Sequence, residues 1–412
     1  MAVALRLPTE LCTVIFKLCL QYHGAYLAKP SPREAPLLLT HICRRWRDVC
    51  LDTPDLWTSI HFTTGSVELL KLWLSRTGDR LLDVTLNSVH TEKATQLLEL
   101  IMIQAHRLRA IHLRLPRSVF SRVRGPFPVL ERLSIWPGSR DTAAERIVIG
   151  DAPMLREARI SALEFHSVHL PWAQLTTLHF HPYPFKGSAN PIARCPALVN
   201  LRIAFSTTVS PSTYTLHHLR SLTLTAHSIM LAPELILPQL ETLHIEEVYA
   251  FYYLIPSKIR AWLEGRGLSS LTLSTVAQSN ADVLQGYLTN LPFSASLVHL
   301  KLVVGGFKTF TNEIQALLPA NILPGLKHLE VDVRGASADD SELIFHPFFN
   351  VLRTQRFESL NLLLRASPGE ASMETFRALA QDGMALRMQT CVGGYEVVRI
   401  FGTELEEDPP GW

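Results

Sequence analysis

The chain is 412 residues long, more than one ordinary hydrophobic core organises, so either several domains or a repeat array is expected. Hydrophobic residues make up 47% and charged residues only 18%, which excludes a mainly disordered protein. With 39 basic against 37 acidic side chains the formal net charge is +2, which argues against nucleic-acid binding through phosphate neutralisation and against a polybasic membrane-surface protein.

Near the start, apolar side chains recur at Leu7, Leu11, Ile15, Leu18 and Cys19, the spacing of one helix face, and predict a helix over 7–20. Pro8 and Glu10 suit its first turn, where a missing N–H is tolerated and a carboxylate complements the helix dipole. They also break the pattern of a secretory leader, and the apolar run Leu11 to Leu20 is too short to span a membrane. From Gln21 to Pro36 the prolines Pro30, Pro32 and Pro36 predict a loop. A second helix follows, with Leu39, Ile42, Cys43, Trp46 and Val49 on one stripe and Arg44, Arg45, Arg47 and Asp48 on the other, ending before Thr53-Pro54.

Taken together, Leu7-Pro8-Thr9-Glu10-Leu11, Ile15-Phe16, Ile42-Cys43-Arg44-Arg45-Trp46-Arg47-Asp48-Val49 and Pro54-Asp55-Leu56-Trp57 resemble an F-box. The resemblance implies that residues 1–60 form a helical module that docks on a Skp-type adaptor and, through it, on a cullin–RING ubiquitin ligase. It implies Leu7, Pro8, Leu11, Ile15, Phe16, Ile42, Cys43, Trp46, Val49 and Trp57 as the adaptor-binding residues. A segment this short buries little apolar surface alone, so a partner and the following domain are needed to satisfy its stripes.

From Trp57 onward the phrase apolar-x-x-apolar-x-apolar returns thirteen times, through Leu81-Val84-Leu86, Leu108-Ile111-Leu113 and Leu130-Leu133-Ile135 to Phe357-Leu360-Leu362. Its mean period of about 25 residues resembles leucine-rich repeats, each a short strand plus a return segment. Pro54, Pro128, Pro153, Pro196, Pro238 and Pro324 stand shortly before the anchors and aim the chain into the next strand. The asparagine usual after such strands is missing from most units, so the repeats are degenerate. Helices are predicted in the longer returns, over Thr91–His106, Asn280–Leu291, Glu342–Arg353 and Ser372–Gln381, with irregular or 3₁₀ connections in the middle. The expected fold class is α/β: a helical module at 1–60, a degenerate repeat solenoid with a curved parallel sheet at 61–402, and a frayed acidic tail at 403–412.

Alternation along each strand then places His61, Thr85, His112, Ser134, Arg159, His179, Arg202, Thr223, His244, Thr272, Lys301, Glu330 and Asn361 in one exposed column. Arg114, Arg132 and Trp136 lie in neighbouring columns. His112, Arg132, Arg159, His179, Arg202 and His244 are therefore the candidate target-binding residues, for an acidic or phosphorylated protein segment.

Catalytic and metal signatures are missing. The pairs Cys12/Cys19 and Cys43/Cys50 are seven residues apart, the return of a helix face rather than a zinc spacing. There is no His-Glu-x-x-His, nucleophile elbow, phosphate loop or dinucleotide fingerprint. No cofactor, metal, nucleic acid or membrane is expected. Six cysteines and no Asn-x-Ser/Thr acceptor suit a reducing cytoplasmic or nuclear setting. The expected function is a non-catalytic substrate receptor of a ubiquitin ligase, the alternative an interaction scaffold whose module assembles no ligase.

Overall fold

The structure, a computed structural model, describes residues 7–21, 30–63, 66–138, 146–163, 167–181, 191–204, 213–248, 255–263, 266–275, 295–303, 323–333, 341–354, 357–365, 367–392 and 395–401. The fold is mixed α/β, built on parallel strands, and the chain divides into two compact units, Met1–Leu198 and Val199–Trp412. The predicted helix at 280–291 and the predicted tail at 403–412 lie outside the described residues.

Eight strands run through the first unit: β1 (Ser59–Phe62), β2 (Leu82–Asn87), β3 (Leu108–Leu115), β4 (Arg132–Pro137), β5 (Ile147–Val148), β6 (Glu157–Ser161), β7 (Val168–His169) and β8 (Thr177–His181). All but β5 and β7 pair in chain order as parallel neighbours, while β5 and β7 pair with each other. The repeat phrase explains this. Its second and third apolar positions alternate with polar ones on the strand, so Ile60 and Phe62, Ile111 and Leu113, Leu133 and Ile135 all point into the core, at most 2% exposed. Each such side chain contributes roughly 1.5–3 kcal/mol by leaving water. One anchor is displaced. Leu81 is exposed and Leu82 takes its place in the core, because the β2–β3 register slips between Leu82 and Asp83.

The N-terminal helices pack within this unit. They are α1 (Thr9–Gln21), α2 (Leu37–Ile42) and α3 (Arg44–Leu51), followed by α4 (Val67–Ser75) and α5 (Thr91–Met102) in the first two returns. The single helix predicted through Leu39 to Val49 is two helices. Cys43 is extended (φ −157°, ψ 168°) and its Sγ accepts the Trp46 N–H at 3.4 Å, so the thiol caps α3 where a continuous helix was expected. The helix predicted at 91–106 is α5 plus a 3₁₀ turn at Ala105–Arg107, with Ala94, Leu97, Leu98 and Ile101 buried. α4 was not anticipated; Ser66 caps it by accepting the Leu69 N–H, and it buries Leu70, Trp73 and Leu74.

Helical module and first repeat share one core. Trp57 donates its indole N–H to the Cys50 carbonyl at 2.9 Å, and the Arg76 guanidinium lies 4.4 Å over its ring. Lys17 on α1 meets Asp55 at 2.7 Å, and that hydrogen bond holds the Asp55 carboxyl below the usual carboxylate range.

The second unit continues the pattern with β9 (Asn200–Ile203), β10 (Thr213–Thr215), β11 (Ser221–Thr225), β12 (Glu234–Ile236), β13 (Thr242–Val248), β14 (Ser270–Thr275), β15 (His299–Val303), β16 (His328–Asp332), β17 (Ser359–Leu364), β18 (Ala385–Val392) and β19 (Tyr395–Phe401). β10 and β12 pair with each other; the rest form a sheet in chain order, parallel from β9 through β18. β19 was not foreseen as a strand of the sheet: it turns back antiparallel on β18, from Leu386↔Phe401 to Val392↔Tyr395. Helix α6 (Ala226–Leu231) occupies a middle return expected to be irregular, α7 (Ile255–Leu263) lies in a longer return for which no helix is predicted by name, and α8 (Ser341–Thr354) and α9 (Glu370–Gln381) match expectation. Phe345 and Phe349 of α8 meet Phe376 of α9 edge-on at 5.5 and 4.9 Å, joining the last returns.

Candidate docking site

α1 carries two apolar faces. Cys12 and Phe16 point inward at 1% and 0% exposure, with the Phe16 ring 4.9 Å from Trp46. Leu11, Val14, Ile15 and Leu18 point outward and are 39–58% exposed. Their spacing of three and four residues makes one continuous strip along the helix. Leu38 and Ile42 of α2 and Leu51 of α3 are also exposed. Single exposed leucines are ordinary, whereas a strip of four on one short helix is a candidate contact surface.

The ten residues implied by the F-box resemblance therefore part company. Leu11, Ile15 and Ile42 are exposed, Pro8 is exposed, and Leu7, Cys43 and Trp46 are half-buried. Phe16, Val49 and Trp57 are at most 7% exposed, so they hold the module together and offer no surface to a partner. Val14, Leu38 and Leu51 were missed, although Val14 stands three residues after Leu11 and four before Leu18, which was signal enough. The arginines of α3 serve local structure: Arg47 donates to the Thr40 carbonyl at 2.9 Å and Arg45 to the Leu7 carbonyl. Of the four thiols in this module Cys12 and Cys50 are core groups, whereas Cys19 and Cys43 are half-buried; burial pushes the Cys50 pKa up to about 12.

The second candidate surface is the sheet face opposite the apolar triplets. In the first unit Thr85, His112, Ser134, Arg159 and His179 stand in register from β2 to β8. Their charges are largely compensated. Asp83, whose side chain is 12% exposed, receives Arg109 through both oxygens at 2.9 and 2.7 Å and Arg132 at 3.3 Å. Arg159 pairs with Glu157 at 2.6 Å. Burial, reinforced by His61, Arg159 and Arg114, pushes the His112 pKa down, so its ring is neutral at pH 7.

In the second unit Arg202 of β9 reaches past Thr223 of β11 to Glu246 of β13 at 2.7 Å. His244 shares a 2.9 Å hydrogen bond with Ser274, and burial lowers its pKa, Arg202 and Lys301 acting in the same direction and Glu246 against it. Within the expected row of positive fields, Arg132, Arg159 and Arg202 are thus paired with local acids, and burial lowers the pKa values of His112 and His244. What the column list did not isolate is Arg114 on β3, whose guanidinium lies 5.2 Å from the ring of its cross-strand neighbour Trp136, itself 46% exposed.

Among the described residues no group of three or more His, Cys, Asp or Glu side chains is arranged to hold a metal ion, and no helix is long and apolar enough to cross a membrane. Compared with protein-family models and with curated proteins, the sequence matches none.

Proposed function

We propose that the protein is a substrate-receptor subunit of a Skp–cullin–F-box ubiquitin ligase, working in the cytoplasm or nucleus. The observation that carries this reading is the outward apolar strip of α1, Leu11, Val14, Ile15 and Leu18, within a segment whose sequence resembles an F-box. On this reading the strip buries against a Skp-type adaptor, and the degenerate leucine-rich repeats present a protein target on their solvent face. The chain performs no covalent chemistry. It holds a target lysine near a charged ubiquitin carrier, raising the effective concentration of the reacting groups.

The packing of the module against the first strands supports the division of labour. Trp57 bonds the Cys50 carbonyl of α3 and Lys17 of α1 pairs with Asp55, so the helices that carry the strip pack against the start of the first sheet. The test is co-purification of the full chain with a Skp-type adaptor, repeated with Val14→Asp and Leu18→Asp. Retention by the wild type and loss in both variants is the expected result. A wild-type chain that ignores the adaptor is an interaction scaffold instead.

A further inference from the structure

Resting on the reading of the sheet as a target-presenting face, we propose that the first unit binds an acidic protein segment, Asp and Glu flanking a Leu, Met or Phe side chain, at the carboxyl ends of β3 and β4, with Trp136 and Arg114 as its anchors. The carboxylates of this face are unevenly distributed along the strands. Asp83 and Glu157 both sit toward the strand starts, and each is already occupied by arginine. At the strand ends the corresponding positions are Asn87, Arg114, Trp136, Ser161 and His181, one fixed cation and no acid. Among the described residues the Arg114 guanidinium has no carboxylate within ion-pair distance; it lies over the Trp136 ring and acts electrostatically on His112.

That geometry selects the occupant. A half-exposed indole is the residue type that contributes most at protein interfaces when an apolar side chain covers it. Covering it also desolvates the stacked guanidinium, which then needs an anion. A neutral apolar segment leaves that need unmet, and a basic one adds repulsion. Phosphate recognition generally gathers several converging donors, whereas here a single guanidinium stands over a ring, which suits a carboxylate. Arg114 is held over Trp136 before binding, so less side-chain freedom is lost when the segment arrives.

The test uses a random peptide library displayed on phage and panned against the immobilised full chain. Enriched peptides are then titrated by fluorescence anisotropy against the wild type, Arg114→Glu, Arg114→Lys and Trp136→Ala. The expected result is enrichment of Asp and Glu beside Leu, Met or Phe, with binding weakened about tenfold or more by Arg114→Glu and Trp136→Ala and much less by Arg114→Lys. Arg220→Glu, at an exposed arginine of the second unit, serves as the control that leaves binding unchanged. Three results overturn the proposal: no enrichment, enrichment without acidic excess, or equal binding by Arg114→Glu and wild type. If Trp136→Ala fails to fold, Arg114→Glu decides alone, since it changes one exposed side chain. Adaptor co-purification is measured on the wild-type chain. No adaptor with peptide enrichment intact sinks the ligase reading alone, and adaptor retention without acidic peptide enrichment sinks only this site.

Discussion

Trp73 donates its indole N–H to the Trp57 carbonyl at 2.9 Å while the two rings meet nearly edge to face, centroids 4.8 Å apart and planes at 76°. Both are at most 1% exposed, and they join the end of the helical module to the first return helix. Trp73→Ala is expected to cost about 3–5 kcal/mol through the cavity it leaves. Urea unfolding followed by circular dichroism measures this. A loss under about 1 kcal/mol contradicts the shared core.

The two faces of α1 make opposite predictions. Phe16→Ala should destabilise the chain by about 3–5 kcal/mol, because the ring is fully buried against Trp46. Leu18→Asp changes a side chain that is 58% exposed and should shift stability by no more than about 0.5 kcal/mol. Thermal melts of both proteins separate the faces. Equal losses mean that α1 packs the other way round.

Asp83 is the hinge of the charge arrangement on the first unit's sheet. Asp83→Asn leaves Arg109 without its two-point partner and takes from Arg132 the acid it reaches at 3.3 Å. Both arginines keep substantial contact with water, so the expected loss is about 1–2 kcal/mol rather than the larger cost of a fully buried pair. The difference between wild type and variant should narrow with added salt. A salt-independent gap would point to packing instead.

Acidification has a defined sign. Burial lowers the pKa values of His112, His244 and His299 in the folded chain below the ordinary value near 6.5. The folded state therefore binds fewer protons than the unfolded one once pH falls below that value. Stability is complete above it and declines as pH drops toward the folded pKa values. Melting temperature should fall between about pH 7 and pH 5, and replacing all three histidines with Gln should flatten the slope. A melting temperature that rises over that interval refutes the assignment.

Much of the fold was legible because a strand's period of two writes itself into the sequence. Pairs such as Leu222 and Leu224, or Leu300 and Leu302, identify the strand and its buried face together. What escaped depends on contacts the local pattern does not encode. The break at Cys43 rests on a thiol cap inside an otherwise helical stripe, and the Leu81–Leu82 slip rests on pairing with β3. β19 lies beyond the last repeat phrase and takes its place only by folding back on β18. Of the candidate surfaces, the α1 strip was half legible, since a helical stripe tells which residues align but not which of two apolar stripes faces the core. The charge column was less so. Arg202 and Glu246 are 44 residues apart and meet only because β9, β11 and β13 are consecutive neighbours.

The antiparallel return of β19 has a consequence for self-association. A stack of parallel strands ends in a row of open backbone groups onto which the first strand of another copy could lock, head to tail, without limit. By reversing direction over seven residues, β19 replaces the edge that β18 would present with one running the opposite way. Growth that simply repeated the parallel step joining β9 through β18 would therefore stop at β18.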